Sequence, residues 1–175
     1  MNERHVLIFF LDGVGIGRGD ARTNPFITAD RPNLDAILHG KWMFTRRHMT
    51  CGRASLRLTD ATLGVDGRPQ SATGQATILT GRNVPQELGE HWGPKPDARI
   101  RPMLQSGTLF HDFASDAAML NAFPDQYFDG IASGKRLRGA VAQAAIEAGV
   151  RLRSADDLRN HNAISPDITN EAWRT

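Results

Sequence analysis

The sequence predicts an α/β domain, with a mostly parallel sheet and helices on both faces. Three observations carry that expectation. His5–Leu11 is a continuous apolar run, suited to a strand buried on both faces. Gly134–Gly149 sets Leu137, Val141, Ala144, Ala145 and Ala148 at helical spacing. Between them, apolar runs, glycine-rich turns and helix-like stretches alternate, as in strand–helix–strand units.

The elements follow in chain order. The run His5–Leu11 ends at Asp12-Gly13, and Gly13, Gly15, Gly17 and Gly19 then make a loop. Pro32–His39 reads as a short helix, with Asp30 as a cap and Gly40 as its stop. Ala54–Thr62 contains an alternating stretch that suits a strand, and Gly64–Gln70 has turn chemistry. Ser71–Leu79 is a helix with Gly81 near its stop. Asn83–Pro102 reads as a long Pro/Gly-rich loop carrying His91-Trp92-Gly93-Pro94, and loops of that length are often functional. Thr108–Ala114 looks helical. Ala117–Asn121 suits a second core strand, and Val150–Leu152 the start of another.

Composition narrows the function classes. The chain has 175 residues, enough for one domain with a real core. Hydrophobic residues make up 40%, a globular share. The formal net charge is +2, from 18 Arg and 3 Lys against 19 acids. The arginines are scattered, and no basic stripe interleaves with aromatics, so nucleic acid is not the expected partner. The single Cys51 has no internal disulfide partner and no zinc-ligand pattern around it, and reads as a buried, inert thiol. Val6–Leu11 is too short for a signal core or a membrane span. The expectation is a cytoplasmic protein with no membrane partner.

Two residues draw chemical interest. Asp12 follows a strand-like run, where open α/β sheets place ligands. It reads either as a turn residue with Gly13 or as an unhindered carboxylate for a divalent metal. Ser71 opens a helix, beside free N–H groups and the positive end of the helix dipole, a field that favours an alkoxide and attracts phosphate. Read alone, it is better taken as a helix cap. Thr73 is a rival hydroxyl, set deeper in the helix. A dinucleotide fingerprint fails on spacing: counting from Gly13 the sixth residue is Arg18, and from Gly15 it is Asp20. Gly40-Lys41 and Gly134-Lys135 fail as phosphate loops, lacking the upstream glycine and a following Ser or Thr.

Leu7–Gly17 (LIFFLDGVGIG) together with Ser71-Ala72-Thr73-Gly74-Gln75 resembles the alkaline phosphatase superfamily. The nearest branch is the cofactor-independent phosphoglycerate mutase and phosphopentomutase group of metalloenzymes. The resemblance covers roughly residues 5–130, as an order of elements plus two motifs. It implies that Asp12 is a metal ligand and that Ser71 is both the nucleophile and a metal ligand. It also implies two divalent cations (Mn, Zn or Mg), a phosphorylated small-molecule substrate and a phosphoserine intermediate. Gln70 stands where alkaline phosphatases usually carry Asp, and Ala72 and Gln75 stand where the mutases carry Glu and His. Those departures fit the broader superfamily better than mutase activity.

Two metals need about six or more protein ligands. The family's remaining ligands are an Asp-x-x-x-His pair, an Asp-His dipeptide and one more His. The sequence holds no Asp-His dipeptide. Asp157 and His161 have the first spacing, but in a polar, helix-like stretch that follows no strand, so chance explains them. The resemblance therefore implies the N-terminal portion of a single alkaline-phosphatase-like domain, a fold short of its last strands and of a C-terminal half. Such a chain alone is expected to bind metal weakly or not at all. Asn24, Arg82, Asn83 and His91 are further substrate-site candidates by position. For Arg82 and Asn83, a helix C-cap followed by a turn is the competing reading. The alternatives are a phosphodiesterase of the same superfamily and a non-catalytic remnant or interaction module. A sulfatase is disfavoured by the surroundings of Ser71, and a Rossmann domain ranks last.

Overall fold

The computed structural model describes residues 5–38 and 47–166. Its contacts fall into two compact units, Met1–Asp60 and Ala61–Thr175. The expected stop of the first helix at His39–Gly40 lies outside the described residues.

Among the described residues the expected parallel sheet is not formed. The described residues build helices and one two-stranded antiparallel sheet. In the first unit, α1 spans Pro32–Leu38, and the hairpin strands β1 (Met49–Cys51) and β2 (Ala54–Leu56) pair across Gly52, which adopts φ +55°. The strand expected over Ala54–Thr62 thus stops at Leu56. Cys51 is half-buried in β1 rather than sealed in a core. His5–Leu11 forms no strand: Val6 is 82% exposed and Phe9 71%. A strand's N–H and C=O groups need partners on other segments, whereas a helix pairs its own. An apolar run is a necessary condition for a buried parallel strand, and without flanking strands it is not sufficient. The same reason removes the strands expected at Ala117–Asn121 and Val150–Leu152. What survives there is a pair of single-residue parallel bridges, Asn121 with Ile164 and Ala122 with Arg153.

The second unit is helical. It contains α2 (Ser71–Thr80), α3 (Val84–Leu88), α4 (Arg101–Leu104), α5 (Leu109–Phe113), α6 (Asp125–Ala132), α7 (Ala140–Glu147) and α8 (Ala155–Arg159). The segment expected as one loop, Asn83–Pro102, therefore carries α3 and the first two residues of α4. The helix expected over Gly134–Gly149 begins only at Ala140, because Gly134 turns the chain at φ +73° and Gly139 adopts extended backbone.

Helix α7 organises the core. Ala140 and Ala144 lie on one face with Ala72, Ala76 and Leu79 of α2, Val84, Ile100 and Leu104. Ala142 and Ala145 face a second cluster of Met119, Tyr127, Val150 and Leu152. Residues two apart point roughly 200° apart around a helix, so one alanine-rich helix can serve two cores. Alanine on both α2 and α7 lets their backbones approach closely. No described helix is long and apolar enough to cross a membrane.

Candidate functional site around Ser71

Ser71 is the first residue of α2, half-buried, directly after Gln70 in extended backbone (φ −125°, ψ 148°). Gln70 contributes no side-chain cap, unlike the Asn and Ser caps elsewhere in the chain. Two features of the first turn fix the rest. The Gly74 N–H donates to Gln70 O at 3.0 Å, closing the first helical ring. The Thr73 N–H donates outside the helix, to Trp92 O at 3.1 Å.

Thr73 is fully buried, and its hydroxyl is engaged with backbone. Its Oγ1 lies 3.2 Å from Gln70 O and 3.3 Å from Trp92 O, and accepts from the Trp92 N–H at 3.3 Å. The rival hydroxyl therefore fastens the segment around Trp92 to the helix. Gly93 completes the clamp. A Cβ at Gly93 would stand 3.0 Å from Gln70 Cβ and 3.2 Å from the Ser71 backbone nitrogen, so a larger residue would have to push this segment off the helix start by a few tenths of an ångström. The sequence marked His91-Trp92-Gly93-Pro94 as a loop of interest. It did not show that Trp92 and Gly93 hold the Ser71 turn.

The clamp is itself held. The Trp92 indole N–H donates to Lys95 O at 3.1 Å, and the Arg99 guanidinium lies 5.1 Å from the Trp92 ring centroid. Arg99 pairs with Glu90 at 2.7 Å and with Asp97 at 2.7 Å. Burial raises the Asp97 carboxyl, but hydrogen bonds from Arg99 and from the Arg99 and Ile100 N–H groups outweigh it and hold Asp97 below its ordinary pKa. His91 Nε2 lies 3.1 Å from Val65 O, tying the segment to the turn before α2.

The other candidates occupy different places. Arg82 and Asn83 follow the C-terminal end of α2, about 15 Å along the axis from Ser71 for ten residues at 1.5 Å each. Arg82 forms an ion pair with Glu87. Asn83 caps α3, accepting from the Gln86 N–H at 3.2 Å and donating to Leu63 O at 2.9 Å. Asp12 and Asn24 belong to the first unit. Asp12 is exposed on a turn with Gly13, whose φ is +73°. Asn24 is buried, accepts from the Phe26 N–H at 3.1 Å and donates to Arg18 O at 2.9 Å, so it organises its own loop.

Among the described residues, no group of three or more His, Cys, Asp or Glu side chains comes together to hold a metal ion. Asp157, half of the Asp-x-x-x-His spacing, serves a capping box instead. Its carboxylate accepts from Arg151 at 2.7 and 2.8 Å and from the Ser154 N–H at 2.8 Å. The described residues thus do not supply the cage of a two-metal centre. Compared with protein-family models, curated proteins and solved structures, the chain matches none.

Proposed function

We propose that the chain supplies the serine nucleophile of a phosphoryl-transfer reaction, with Ser71 as the residue that takes the phosphoryl group. One observation supports this above the others. Ser71 begins a ten-residue helix whose N-cap contributes no side-chain bond, and a separate segment clamps that turn in place. The positive end of the α2 dipole lies at this turn and attracts an anion, while the Thr73 N–H of the same turn is already taken by Trp92 O. The substrate is a phosphate monoester of a small molecule. Ser71 Oγ forms a bond to phosphorus as the ester P–O bond breaks. The alcohol departs with a proton and the Ser71 proton passes to solvent. Water or an acceptor hydroxyl then takes the phosphoryl group from the phosphoserine. Divalent cations belong to this reading, and their ligands would have to come from residues other than those brought together here.

The second reading is a non-catalytic interaction module, favoured by the exposed apolar run Val6–Leu11. The two separate in one experiment. The purified chain is incubated with an aryl phosphate and Mn²⁺ or Zn²⁺, quenched in acid and mapped by mass spectrometry. A slow phosphate adduct on Ser71, lost in Ser71→Ala, is the expected result. No adduct, or one that persists in Ser71→Ala, would leave the interaction module standing.

A further inference from the structure

A groove of about 300 Å³ lies in the second unit, apart from the Ser71 turn, and three arginines line it: Arg101, Arg136 and Arg138. Pro96, Ile131 and Leu137 supply apolar walls, and no acidic side chain lines it. Elsewhere in this unit Arg82, Arg99, Arg151 and Arg159 each face a carboxylate. None of the three groove arginines makes an ion pair among the described residues. Three positive side chains around one groove, with no carboxylate in its lining, favour an anion there.

The groove is built rather than incidental. Gly134, at φ +73°, turns the chain after α6, and the Arg136 N–H donates back to Gly130 O at 2.9 Å. A Cβ at Gly130 would stand 3.0 Å from Arg136 Cβ, so glycine permits this close return. The Arg136 guanidinium then lies 5.7 Å from the Tyr127 ring centroid, a cation–π contact that orients it. Arg101 Nε donates to Pro96 O at 3.3 Å, which holds the second side chain. Lys95 adds a cation nearby, its Nζ 3.7 Å from where a Cβ on Gly139 would be.

We propose that this groove binds the phosphate group of a phosphorylated small molecule. Planar guanidinium forks from separate segments suit the several oxygens of a phosphate better than the two of a carboxylate. The volume suits a small ligand, and the apolar walls would meet its carbon skeleton. The assignment stands whether or not Ser71 is a nucleophile.

The test uses the whole chain with pyrophosphate as the probe, read by backbone amide shifts and by titration calorimetry. Pyrophosphate is expected to shift amides at Arg101 and over Gly134–Gln143. The double variant Arg101→Gln/Arg138→Gln is expected to lose about tenfold in affinity for each guanidinium removed. Arg53→Gln, an exposed arginine of the first unit, should bind as the wild type does. The charge-keeping pair Arg101→Lys/Arg138→Lys guards against a folding defect and should bind weakly, because it keeps the charge and loses the forks. Shifts confined to Ser71–Gly74 and abolished by Ser71→Ala would overturn the proposal. So would an equal loss in Arg53→Gln, full affinity in the lysine pair, or binding of an oligonucleotide without binding of pyrophosphate.

Discussion

Leu104→Ala tests the packing that fixes α2, and with it the position of Ser71. Leu104 is fully buried, in one cluster with Ala72 and Ala76 of α2, Ala140 and Ala144 of α7, and Ile100. The substitution removes three carbons, worth about 2.4 kcal/mol at ~0.8 kcal/mol each. A cavity cost is added, because the surrounding helices collapse only partly into the vacated space. The expected loss is about 3–4 kcal/mol. Against a total of about 5–15 kcal/mol for a domain, that is a large share. Native-state hydrogen exchange at the α2 and α7 amides reports it directly, since exchange there follows local opening of these helices. Leu137→Ala is the control. Leu137 is 52% exposed, and the change should cost about 0.5 kcal/mol or less. A loss below about 1.5 kcal/mol at Leu104 would mean that α2 and α7 are not held by this cluster, and the account of the Ser71 turn would lose its footing.

Two further predictions address the clamp and the capping box. Gly93→Ala should destabilise the second unit by about 1–3 kcal/mol and shift the Ser71 amide resonance, because the new methyl meets Gln70 and the Ser71 nitrogen; an unchanged Ser71 resonance would refute the contact. Arg151, with the Ser154 N–H, holds the Asp157 carboxyl well below the usual carboxylate range. Its contribution is therefore present above the unfolded-state value of about 3.9 and is lost as pH falls through the lower folded value. Asp157→Asn should flatten that acid limb in a stability–pH profile, and an identical profile in the variant would show that the pair is not linked to folding.

The sequence revealed local structure and concealed long-range pairing. Helix α2 was legible to within a residue, because Ser71 at its start and Gly81 just past its end are local signals. Helix α7 was legible as a helix but not in its first residue, since Gly134 and Gly139 act as turns only in a particular backbone conformation. The sheet was misread because a run such as His5–Leu11 states its hydrophobicity and not its partners. In the site, Ser71 was legible from its place at a helix start. Trp92 and Gly93 were not, because the clamp joins residues 19 positions apart and uses backbone atoms on the Trp92 side. Arg136 was equally hidden, since its place depends on the chain returning to the Gly130 carbonyl after the turn at Gly134.

One segment serves both places at which an anion is proposed. Trp92 and Gly93 bind the first turn of α2, and Pro96, four residues after Trp92, lines the arginine groove and accepts from Arg101. Between them the Trp92 indole N–H donates to Lys95 O, and Arg99 and Asp97 brace the far end. A segment held this tightly at both ends has little freedom to shift at one without disturbing the other. An anion in the groove would draw Arg101 inward and put its load on the Pro96 carbonyl, and the next rigid contact along the chain is the one against Ser71. The groove and the serine turn are therefore expected to respond together, with pyrophosphate in the groove slowing hydrogen exchange at Thr73, whose N–H donates to Trp92 O. Exchange at Thr73 that ignores pyrophosphate, while the groove amides respond, would show two independent sites on one scaffold.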